Sequence, residues 1–179
     1  MDLLAKLKEQ ALLRSLPAFA QANPGLYLYG RMPSAEALGF KTRLASPQGL
    51  RDFDATRTAG AGQLFLFRVE KSSRNSWARQ ISVGRATNND IVLRHASVSK
   101  LHAHFFVRQQ GGAEALMLAD DGSSNGTAVN GRVLGEGDQA AVVSSPGDRL
   151  RFGDVEVTLL DPAGLHRELR RRRVVESDF

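Results

Sequence analysis

From residue 64 to residue 160 the chain is cut into short runs in which apolar and polar residues alternate, each closed by a glycine or a polar turn. A period of two puts every second side chain on one face, which is strand geometry and leaves no continuous stripe for a helix. The runs fall at 64–70, 80–84, 91–93, 102–108, 115–119, 127–129, 132–133, 139–143, 149–152 and 155–160, and 26–29 adds a short one upstream. Strands this short and this closely spaced predict an all-β fold, a two-sheet antiparallel sandwich of about ten or eleven strands. The inward positions would be Phe65, Phe67, Val69, Val83, Ile91, Leu93, Phe105, Val107, Leu116, Leu118, Leu150, Phe152, Val157 and Leu159. The chemically interesting residues fall mostly between the strands, where a rigid scaffold presents a loop-built site.

Outside the sandwich the texture differs. Residues 1–22 hold strong helix formers, with Leu3, Leu4, Leu7 and Ala11 on one face and Leu12, Leu16 and Phe19 on another. Pro17 lacks an amide proton and its ring collides one turn back, so the helix ends or restarts near Ser15 and Leu16. Ser34 caps a predicted helical turn over 35–38, and the small residues of 56–62 read as a linker. The expected organisation is a partly helical extension over 1–62, one β domain over 63–161, and an arginine-rich tail over 162–179, with Arg167 and Arg170 to Arg173 solvated. A chain of 179 residues with 42% hydrophobic residues suits one such domain with an appendage.

There is no cysteine, which excludes disulfides, a thiol nucleophile and a thiolate metal site. The apolar runs are too short to span a bilayer, and Lys6, Lys8, Glu9 and Arg14 interrupt any signal-peptide core, so the expected location is cytoplasmic. The net charge is +5, and 24 residues are lysine or arginine. The planar guanidinium fork pairs two ways with phosphate, so the balance suits phosphorylated ligands, whether peptide or nucleic acid.

Five spaced segments carry the functional reading: Gly84-Arg85, Asn89-Asp90-Ile91-Val92-Leu93, Ser99-Lys100-Leu101-His102-Ala103, Gly122-Ser123-Ser124-Asn125-Gly126-Thr127 and Asn130-Gly131. In this order and spacing they resemble the phosphothreonine pocket of the forkhead-associated (FHA) domain family, and the resemblance spans roughly residues 64–161. It implies a module that binds phosphothreonine peptides as an adaptor in Ser/Thr kinase signalling. A phosphothreonine offers nearly two negative charges and three acceptor oxygens, so its reader needs a fixed fork and further donors. The resemblance gives the fork to Arg85, hydroxyl donation to Ser99 and Ser124, a compact positive charge to Lys100, and orientation of the ligand backbone to Asn125. Gly84, His102, Gly126, Thr127, Asn130 and Gly131 would shape and brace the loops, His102 by hydrogen bonds. Read without the resemblance, the glycines are turn residues, Lys100 is a surface charge, and Asn130-Gly131 is a tight hairpin turn.

Two departures bear on the partner. Where many relatives have an acidic residue, Arg94-His95 makes the rim more positive, and the polar segment 71–79 is long and contains Trp77. His102 and His104, two apart on one strand face, invite a metal reading, but no carboxylate is spaced to complete a site, so no metal and no cofactor are expected. The chain offers no oriented nucleophile and base, no carboxylate pair and no nucleotide-binding glycine loop, so it is not expected to be an enzyme. The expected partner is a phosphothreonine-containing protein, a Ser/Thr kinase or its substrate. Two alternatives stay open: an FHA scaffold that binds without phosphate, and a basic protein associated with nucleic acid, against which the scarcity of stacking aromatics counts.

Overall fold

The computed structural model describes residues 3–33, 62–77 and 79–171. Among these residues eleven strands form two sheets. The strands are β1 (Tyr27–Arg31), β2 (Leu64–Arg68), β3 (Ile81–Gly84), β4 (Ile91–Val92), β5 (Ala103–Gln110) and β6 (Ala113–Asp120), followed by β7 (Thr127–Val129), β8 (Arg132–Val133), β9 (Val142–Val143), β10 (Arg149–Phe152) and β11 (Val155–Leu160). One sheet runs β2-β1-β11-β10-β7-β8 and the other β4-β3-β5-β6-β9. All pairs are antiparallel except β3 and β4, which run parallel with Val83 opposite Ile91. The core between the sheets holds Val83, Ile91, Leu93, Phe105, Leu118, Leu150, Phe152, Val157 and Leu159, with Phe65 at its edge and Phe67, Val69 and Leu116 packed against it.

Val107 is the inward candidate that fails. The alternation is right, but β3 covers β5 only as far as Phe105 opposite Ile81, and the β5–β6 hairpin runs on into solvent, leaving Val107 58% exposed. The run expected over 139–143 also divides, into a 3-10 turn at Asp138–Ala140 and the two-residue β9.

The extension and the tail are built into the fold. β1 lies inside the larger sheet, with Leu28 opposite both Phe67 of β2 and Leu159 of β11. The sheet therefore takes in a strand from before the expected boundary near residue 62. The N-terminal segment forms α1 (Leu3–Leu13) and α2 (Leu16–Ala22), with Ser15 at the cap and Pro17 in the first turn of α2, as a proline lacking a donor requires. Residues expected to be a solvated tail form α3 (Pro162–Arg171), whose Leu165 and Leu169 are buried against Leu7, Ala11, Phe19, Tyr27 and Leu66. This second core covers part of the outer face of the larger sheet. His166 and Arg170 of α3 reach the Arg14 and Ala11 carbonyls at 3.2 and 3.3 Å, satisfying the open C-terminal end of α1. The helical turn expected at 35–38, most of the linker at 56–62, and residues 172–179 lie outside the described residues.

A buried carboxylate ties the long segment after β2 to the sandwich. Asp90 accepts from the Lys71 ammonium at 2.9 Å, from the Ser72 amide and hydroxyl at 2.8 and 2.7 Å, from Asn75 Nδ2 at 2.9 Å and from the Ser82 amide at 2.9 Å. Burial by itself would raise its pKa, but these donors outweigh it and hold the carboxyl well below the usual range. Asp90 thus fixes the start of the segment that carries Trp77, a residue 43% exposed.

Candidate functional site

Three connections meet beside the Gly84 end of β3: the turn after β3, the segment 93–102 between β4 and β5, and the β6–β7 loop at 121–126. Backbone bonds join the first two, since the Arg85 amide donates to Ser99 O at 2.9 Å and the Ala86 amide to Lys100 O at 3.2 Å. Asn89 closes the same junction by donating Nδ2 to Lys100 O at 2.7 Å and to Ala86 O at 2.9 Å. Here Gly84 has a steric reason: a Cβ would stand 2.3 Å from Lys100 O, far inside contact distance.

The segments enclose an open recess of about 350 Å³ lined by Arg85, Ser97, Ser99, Lys100, Ser124 and Asn125, together with Ala96, Val98 and Leu101. No acidic residue among the described residues lines it. All five residues expected to touch a ligand are brought together on its wall. Arg85, Lys100, Ser124 and Asn125 are exposed and Ser99 is half-buried. Ser99 Oγ accepts from the Ser124 amide at 3.1 Å, which joins the two hydroxyl-bearing loops and leaves the Ser99 proton to be donated outward. Asn125 gives one Nδ2 proton to Ser97 O at 2.8 Å, which orients the amide while its oxygen and second proton stay available. Ser97 was not singled out by its sequence context.

His102 braces these loops from below. It is fully buried; its Nδ1 accepts from the Ser99 amide at 3.0 Å, so Nε2 carries the proton and donates to Gly126 O at 3.2 Å. Burial pushes its pKa below the ordinary imidazole value despite Asp120 and Asp121 nearby, in keeping with the neutral ring this geometry needs. Its edge meets the Phe152 ring at 6.0 Å. The β6–β7 loop is held from the other side by Asp120, which accepts from the Ser123 amide and hydroxyl at 2.9 and 2.6 Å and from Thr127 Oγ1 at 2.5 Å. Burial would raise the Asp120 pKa, and the Ser123 and Thr127 bonds lower it on balance. Gly126 sits at φ 75°, a conformation that strains any side chain.

Two histidines behave differently from their sequence reading. His95, expected to make the rim more positive, is buried, and burial lowers its pKa while Asp154 partly opposes; of the Arg94-His95 pair only the exposed Arg94 adds charge. His104 lies between two carboxylates that its strand position did not reveal, with Nδ1 2.9 Å from Asp121 and Nε2 2.9 Å from Asp138. Burial would depress its pKa, but the Asp121 and Asp138 carboxylates outweigh that and raise it. No grouping suited to a metal ion occurs among the described residues.

Asn130 and Gly131 make the tight β7–β8 turn, with φ 50° and 84°. Asn130 faces away from the recess, donating to Asp148 at 2.7 Å and accepting from the Arg149 amide at 2.9 Å. Two other recesses of similar size lie on the larger sheet, and both are lined by Arg149 and Glu156, which pair with each other at 2.9 Å. Their charges are partly neutralised in place, whereas the side chains of Arg85 and Lys100 have no acceptor among the described residues.

Residues 81–153 match the family model described as FHA domain. No curated protein matches the chain. Among solved structures, the chain is similar to one from a structural and functional analysis of phosphothreonine-dependent FHA domain interactions, at 25% identity over 56% of this chain and 86% of that one, TM-score 0.39. It is also similar to the FHA domain of the CT664 protein from Chlamydia trachomatis, at 20% identity over 76% and 98% of the two chains, TM-score 0.43. A third is the MEK1 FHA domain in complex with a HOP1 phosphothreonine peptide, at 19% identity over 54% and 88%, TM-score 0.42.

Proposed function

We propose that this chain, which carries an FHA domain over residues 81–153, binds phosphothreonine peptides at the recess between Arg85, Ser99, Lys100, Ser124 and Asn125. The observation that carries the reading is the convergence on one wall of a guanidinium and an ammonium that have no acceptor among the described residues with two serine hydroxyls, and no carboxylate among the described residues lines that wall. In this reading Arg85 supplies a planar fork to two phosphate oxygens and Lys100 a point charge. Ser99 and Ser124 fill the remaining lone pairs with hydroxyl donors, and Asn125 pairs with the ligand backbone through the amide face that Ser97 leaves open.

The chain acts on this reading as a binding module rather than an enzyme, and its partner is a phosphothreonine-bearing protein, a Ser/Thr kinase or the substrate of one. Charge-assisted hydrogen bonds supply the discrimination, because an unphosphorylated threonine leaves the two cations without an anion. A screen of a degenerate phosphothreonine peptide library against its unphosphorylated twin tests the reading. Enrichment confined to the phosphorylated library is expected; equal retention of both would reject it.

A further inference from the structure

Between β4 and the recess the chain is organised round a side chain that no phosphate contact requires. His95 is 7% exposed, and its Nδ1 lies 2.8 Å from Ser97 Oγ and 3.2 Å from the Ser97 amide nitrogen. An amide can only donate, so Nδ1 is an acceptor and the ring is the neutral Nε2–H tautomer. Ser97 Oγ in turn accepts from the Asp154 amide at 2.8 Å, which leaves the hydroxyl proton to point at Nδ1. The Ser97 carbonyl accepts from Asn125 Nδ2 at 2.8 Å and packs so tightly on the β10–β11 turn that a Cβ at Gly153 would stand 2.4 Å from it. One ring nitrogen therefore fixes Ser97, and Ser97 fixes Asn125 and the backbone leading into Ser99 and Lys100.

We infer that His95 is a positioning residue for the peptide site, holding Ser97 and through it Asn125 only while its ring is neutral, so that the site loosens in mildly acidic solution. The inference rests on the phosphopeptide reading above. A proton on Nδ1 turns the acceptor into a donor. The Ser97 hydroxyl can rotate to receive it, but the Ser97 amide loses its partner and a charge is left at a buried position. Asp154, in the β10–β11 turn, is the ionisable group whose charge acts on His95, and it opposes the effect only in part; Arg94, next in sequence, is exposed. His102 is a second neutral imidazole at the site and is acted on by Asp120, Asp121 and Arg151.

The test compares wild type with His95→Asn and His95→Ala. Asparagine offers its side-chain oxygen to the amide two residues on and does not titrate; alanine offers nothing. Binding of one phosphothreonine peptide is measured by calorimetry at about pH 7.5 and about pH 4.5, the lower value set well beneath the ordinary imidazole midpoint because burial lowers that of His95. Wild type should lose about three- to tenfold more affinity than His95→Asn over that interval, the worth of one hydrogen bond. Titration of the ligand phosphate and of His102 is common to both proteins and cancels in the comparison. His95→Ala should bind weakly at both pH values. Equal pH dependence in wild type and His95→Asn would overturn the inference. A measurement without ligand keeps it separate from the proposed function: the protection factor of the Ser97 amide, its NMR exchange rate relative to the intrinsic rate at the same pH, should fall on acidification in wild type and not in His95→Asn, and the absence of that difference would also overturn it. Failure of every variant to bind the peptide rejects the proposed function instead, and the Ser97 amide still decides whether His95 holds the segment.

Discussion

Replacing His102 with alanine separates a residue that builds the site from residues that form its wall. The ring is fully buried, and its loss leaves the Ser99 amide without its acceptor. Gly126 O loses one donor but keeps the Gly153 amide at 3.0 Å, so it is not orphaned. The orphaned donor costs about 1–3 kcal/mol, and the lost edge contact with Phe152 about 0.5–1.5 kcal/mol. A total of about 1.5–4.5 kcal/mol follows, which for a chain of this size lowers Tm by about 3–18 °C. Phosphopeptide affinity should fall as well, because the same ring joins the segment bearing Ser99 to the loop bearing Asn125. Lys100→Ala is the control: its side chain is exposed and has no acceptor among the described residues, so stability should stay within about 0.5 kcal/mol while affinity drops. Differential scanning calorimetry with peptide titration on both variants gives the answer. If His102→Ala keeps the wild-type Tm and loses only affinity, the bracing role is wrong.

Other perturbations probe other parts of the account. The folded pKa of His104 is raised by Asp121 and Asp138, so its contribution is fully present below the unfolded value of about 6.5 and is lost as pH rises through the folded one; wild-type Tm should decline across that window, and His104→Asn should flatten the decline in thermal scans. Asp90→Ala strands the Lys71 ammonium and several donors and should cost about 3–5 kcal/mol in denaturant titration. Because the Asp90 pKa is depressed, the contribution it makes is present above about pH 4 and lost only on further acidification. Leu165→Ala and Leu169→Ala should each lose about 2–5 kcal/mol by the same assay, an outcome a solvated tail would not give.

The β domain was legible because its information is local. Period-two alternation marks Val83, Phe105, Leu118, Phe152 and Leu159 as inward, and all five lie in the core. Val107 obeys the same alternation and is exposed, because a sequence pattern does not say where the neighbouring strand stops. The place of β1 was not legible, since its register is set by residues 157–160, far along the chain. At α3 the arginines masked a short apolar stripe: Leu165 and Leu169 are one turn apart and face the sheet, while Arg167 and Arg171 face solvent. The five wall residues were found as a set through a spaced motif. Their supports were only partly found, because His102 stands inside that motif whereas His95, Ser97 and Asp120 act through hydrogen bonds that only the folded backbone creates.

Calorimetric titration of one peptide, with and without phosphate on its threonine, into wild type and Arg85→Ala is the most direct test of the central claim. Micromolar binding of the phosphorylated peptide, about 8 kcal/mol, is expected for wild type, with no measurable heat from its unphosphorylated twin. Arg85→Ala should weaken the phosphorylated complex by about tenfold to a hundredfold, the worth of hydrogen bonds to a charged group. Wild-type binding that is indifferent to the phosphate, or an Arg85→Ala variant that binds as tightly as wild type, would contradict the account.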